Sequence, residues 1–66
     1  MITRVGIVAG EIWNYLEQNG QVPLSEIVSN VEQSEEIILM SLGWLAREGH
    51  VILEASNNSY LISLRK

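Results

Sequence analysis

The chain has 66 residues, eight of them glutamate and none aspartate, against three arginines and one lysine, with one histidine and no cysteine. So short a chain makes one domain, residues 1–66, whose folding hides only about 60 % of its extended surface, and without cysteine it has neither a disulfide framework nor thiolate ligands for zinc. A formal charge of −4 opposes unaided attraction to nucleic acid or to an anionic membrane, while 47 % apolar and 18 % charged residues are the mix of a chain that folds.

Ile2 to Asn19 reads as a helix. At 100° per residue Ile2, Val5, Val8, Ala9, Ile12, Trp13, Tyr15 and Leu16 share one broad face. Asn19-Gly20 ends it, because glycine enters the left-handed cap conformation without a Cβ clash. Val22-Pro23 makes an extended stub, and the proline starts a short second helix with apolar positions Leu24, Ile27, Val28 and Val31. After a turn over Asn30 to Gln33, Ser34 is a good N-cap, and Glu35 and Glu36 put negative charge where the helix dipole favours it. That third helix runs to about Glu48 and stops at Gly49. His50 to Ala55 reads as a strand, Ser56 to Ser59 as a turn, and Tyr60 to Leu64 as a second strand. Such a ribbon is marginal alone and must pack on the helices.

Helix, stub, helix, turn, helix, hairpin is the order of an α+β winged helix-turn-helix, with three helices and a C-terminal two-stranded wing. The longest apolar runs are about four residues, such as Ile37-Ile38-Leu39-Met40, far below the roughly 20 that a membrane span needs. A soluble, cytoplasmic protein is expected. With so small a core, dimerisation is one of the few remaining ways to gain burial.

Ala9-Gly10, Trp13 and Leu16, followed by the string Ser41-Leu42-Gly43-Trp44-Leu45-Ala46-Arg47-Glu48-Gly49, resemble a family of small bacterial and archaeal winged helix-turn-helix proteins of unassigned function. The resemblance covers nearly the whole chain. His50 stands where that family usually carries a lysine, which removes a positive charge beside the wing. The resemblance implies a winged-helix fold, often as a homodimer, with DNA binding suspected from the fold.

A DNA reader needs basic side chains for phosphates and polar ones for base edges. No lysine or arginine lies between Val5 and Ala46. The third helix would enter a groove with Arg47 alone, in its last turn, and with two glutamates at the end where backbone amides hold phosphate. Arg47, Arg65, Lys66 and the wing tip Asn57-Asn58 are the candidate nucleic-acid contacts, although Asn-Asn is also ordinary turn chemistry.

With Ile38, Leu42 and Leu45 in the core, Glu36, Met40, Gly43 and Arg47 lie opposite, flanked by Ile37 and Trp44. An outer face holding Ile37, Met40, Gly43 and Trp44 suits a protein partner or a second copy better than a groove; alternatively the first helix or the wing covers Ile37 and Trp44. Gly6 and Gly10, four apart in the first helix with Ile7 between them, would permit close approach of another subunit. Catalysis lacks a constellation. His50 is the only histidine, Glu35 and Glu36 diverge by about 100° on a helix, and no glycine-rich phosphate loop follows a strand. No cofactor, metal or small-molecule substrate is expected.

Overall fold

A computed structural model describes residues 2–65, with the side chains of residues 3–65. The position of Ile2 on the apolar face and the phosphate contact of Lys66 fall outside those side chains. The elements are α1 (Ile2–Asn19), β1 (Val22–Pro23), α2 (Leu24–Asn30), α3 (Glu35–Arg47), β2 (Val51–Ser56) and β3 (Ser59–Leu64).

The long first helix forms because its apolar residues recur at helical spacing, and it buries that stripe: Val8, Ala9, Ile12 and Leu16. Gly20, at φ 74°, turns the chain out of it while its N–H donates to the Leu16 carbonyl at 2.8 Å. Pro23 precedes α2 with extended backbone, φ −71° and ψ 151°, and so closes β1 and stands at the N-cap position of the next helix, without a side-chain cap. Ser34 caps α3, its hydroxyl accepting from the Ile37 N–H at 3.3 Å. At the other end Gly49 takes φ 78°. Its N–H donates to the Ala46 carbonyl at 3.1 Å and that of His50 to the Leu45 carbonyl at 2.9 Å, the paired bonds of a Schellman cap.

Asn57 and Asn58, at φ 48° and 66°, make the two-residue turn of the wing, a conformation matched to the right-handed twist of its strands. Val51 pairs with Leu64, Leu53 with Ile62 and Ser56 with Ser59, all antiparallel. The sheet has a third member. The Val22-Pro23 stub pairs with Ile62 and Leu61 on the far side of β3, giving the order β1-β3-β2. The wing is therefore the larger part of a three-stranded sheet, where the sequence alone suggested two strands and an unpaired stub.

Val22, Val51 and Ile62 sit on the inner face of this sheet, and α1, α2 and α3 close over them with Ile12, Ile27, Ile38, Leu42 and Leu45. Burial of this apolar set, at roughly 25 cal/mol per Å², is the main stabilising term. Ser41 is fully buried among these residues, its hydroxyl 2.7 Å from the Ile37 carbonyl and 3.3 Å from that of Val5 on α1. The small side chain lets the two helices come together, and the nearby carbonyls satisfy its oxygen.

Candidate interaction surface

The α3 helix divides its residues between core and solvent. Ile37, Ile38, Ser41, Leu42 and Leu45 are buried; Glu36, Leu39, Met40, Gly43, Trp44 and Arg47 are exposed. Ile37, expected on the flank of the outer face, is only 6 % exposed and belongs to the core. The reason is its spacing: it lies one turn before Ser41, so it follows that residue into the contact with α1. Trp44 keeps 46 % of its surface in solvent and Met40 45 %, so neither α1 nor the wing covers them.

On α1, Gly6, Ile7 and Gly10 face outward, Ile7 at 59 % exposure. A Cβ placed on either glycine would meet no atom within 4 Å, so packing inside this chain does not require them. Trp13, which helical spacing assigns to the buried stripe, is 36 % exposed at its margin. Gly6, Gly10 and Trp13 from α1 face Trp44 and Leu45 from α3 and His50 across a shallow groove of about 230 Å³. The Trp44 and His50 rings lie with centroids 6.3 Å apart, tilted by 36°. Two indoles and bare helix backbone leave an apolar recess in which side chains of another molecule can be buried.

Arg4 donates to Gln33 at 3.1 Å, tying α1 to the turn before α3. Arg47 is exposed in the last turn of α3, and Arg65 is held beside His50 by its N–H to that residue's carbonyl at 2.9 Å. Asn57 and Asn58 are at the other end of the ribbon, about 20 Å from Arg65 along six residues of strand. Their positive φ angles assign the asparagines a turn role. Arg65 thus lies by the end of α3 that carries Arg47, while the wing-tip asparagines stand apart from it. Glu35 and Glu36 occupy the first turn of α3.

Among the described residues no three carboxylate or imidazole groups come together as a metal site. No described helix is long and apolar enough to cross a membrane.

Some surface features have no counterpart in the sequence reading. Leu39 adds to the outer face of α3, and Ile52, Leu53 and Tyr60 make the wing apolar as well. Residue type alone carries no signal of this, since the same strand alternation serves a covered sheet.

A family model described as a winged helix-turn-helix domain (DUF2582) matches residues 1–64. An uncharacterized protein of Methanocaldococcus jannaschii is 31 % identical over 65 residues, covering 94 % of this chain and 91 % of that protein. The solution NMR structure of a protein from Bacteroides thetaiotaomicron is similar at a TM-score of 0.83 and 32 % identity, over 94 % of this chain and 76 % of that one.

Proposed function

The chain belongs to this winged helix-turn-helix family, and from that premise we propose that it is a non-catalytic interaction module that forms a homodimer and has a transcription-linked role. The observation that carries the interaction-module reading, as distinct from the homodimer, is the outer face of α3. In a DNA-reading domain this helix carries polar and basic groups; here it presents Leu39, Met40, Gly43 and Trp44, with Glu35 and Glu36 at its start and Arg47 as its one basic residue. The adjoining Gly6, Ile7 and Gly10 extend that surface onto α1 for a partner protein. Among the described residues eight large apolar side chains remain exposed, which favours association.

Sedimentation velocity over a concentration series tests the homodimer, and a strict monomer at high micromolar concentration overturns it. A second reading, a DNA-binding regulator, is favoured by the helix-turn-helix itself and by Arg47 and Arg65. A duplex titration at two salt concentrations separates the two. The interaction module gives weak binding whose salt slope corresponds to about two phosphates. Submicromolar affinity that collapses as salt rises establishes the regulator instead.

A further inference from the structure

We infer that the homodimer forms edge to edge through β2, a second copy of this chain pairing antiparallel with that strand so that two three-stranded sheets become one. This rests on the homodimer reading above and specifies its contact.

The strand order leaves β1 and β2 as the two edges. They are guarded very differently. β1 is two residues long and ends in Pro23, which has no N–H to offer. β2 runs for six residues, pairs with β3 in unbroken register, and contains neither lysine nor proline nor a bulge.

Its free hydrogen-bonding groups can be assigned. The Arg65 N–H donates to the His50 carbonyl, so position 50 and its alternates Ile52, Glu54 and Ser56 direct their main chain toward β3. Val51, Leu53 and Ala55 therefore direct theirs away from the sheet. Among the described residues no helix or loop supplies a main-chain partner to these three. Only another strand matches a row of donors and acceptors at this spacing.

Charge favours a second copy as the occupant and one register of its pairing. Two copies centred on Glu54 would set carboxylate against carboxylate. Two copies centred on Ile52 set Ile52 against its own symmetry mate and Glu54 opposite His50 of the second copy, in the same cross-strand row as that copy's Arg65. All three side chains are exposed. In this register Val51 exchanges main-chain hydrogen bonds with Leu53 of the second copy, and the two-fold axis repeats the exchange. A strand that presents an acid at one end of its edge and a base at the other is complementary to its own inverted copy.

Amide hydrogen exchange on the unmodified protein, with sedimentation of three variants, tests this contact. The Val51 and Leu53 amides should slow by about tenfold or more as the protein is concentrated from tens of micromolar to about a millimolar, while exposed loop amides do not change. Glu54→Lys should weaken dimerisation at least about tenfold, His50→Glu combined with Glu54→Lys should restore it, and Trp44→Ala should leave it unchanged. A dimer whose Val51 and Leu53 amides ignore concentration, or which Trp44→Ala dissociates and Glu54→Lys does not, overturns the edge contact and leaves the homodimer standing. Dissociation by Glu54→Lys without rescue in the double variant overturns the register. A protein that stays monomeric throughout overturns the homodimer and the edge contact together.

Discussion

The hydroxyl of Tyr15 on α1 donates to the Glu26 carboxylate on α2, joining two helices that share few other polar contacts. That hydrogen bond to a carboxylate, with partial burial and the negative charge nearby, raises the phenol above its ordinary value of 10.0. A raised acid of this kind stabilises the fold fully below its unfolded value, and the contribution is lost as pH climbs through the folded one. Tyr15→Phe should therefore lower the melting temperature at neutral pH, and the gap from the parent protein should close above pH 10, as followed by thermal melts across that range. Single residues were also where the sequence was least legible. Ile37 and Trp44 flank the same stripe, yet one is buried and the other is not. The two lie within about 20° around the axis but about 10 Å apart along it, Ile37 beside the Ser41–Val5 contact with α1 and Trp44 facing the bare Gly6 and Gly10 across the groove. Helical spacing ranks positions around an axis without saying where a neighbouring helix sits.

Elements were far more legible than their partners. The bounds of α1, the Ser34 cap, the stop at Gly49 and the Asn-Asn turn all follow from local rules about caps, glycine and left-handed backbone. The pairing of Val22-Pro23 with β3 does not, because nothing in a two-residue stub says which strand some forty positions later will lie beside it. The glycines illustrate how position decides the effect of one substitution. Gly49→Ala forces a Cβ into left-handed backbone at φ 78° and should cost about 1–2 kcal/mol, read as a lower urea midpoint at unchanged slope. Gly10→Ala adds a Cβ into open space inside a helix and should stabilise the monomer by about 1 kcal/mol. If Gly10 meets a partner, the same variant gains stability and loses binding, which separates a helix-propensity effect from an interfacial one.

At the scale of the molecule, the fold reads as helices first and sheet last. The helix order and the hairpin made the winged-helix architecture recognisable, whereas the apolar surface over α1, α3 and the wing became visible only once the elements were assembled. The central strand of the sheet, β3, is also the last element in the chain. Both of its neighbours depend on it, so neither β1 nor β2 has any strand to pair with until Ser59 to Leu64 has been made. This sets a timetable for synthesis. A ribosome-bound chain halted before Ser59 carries its helices and half a hairpin, with Val22 and Val51 still lacking the strand they flank, even when every residue has cleared the exit tunnel. Such a stalled chain should be cut readily by protease, and one extended past Leu64 by a tunnel-spanning linker should resist. The sheet thus cannot begin until both of its edge strands have been made, and copies halted before Ser59 along one messenger would meet with their β2 edges not yet formed.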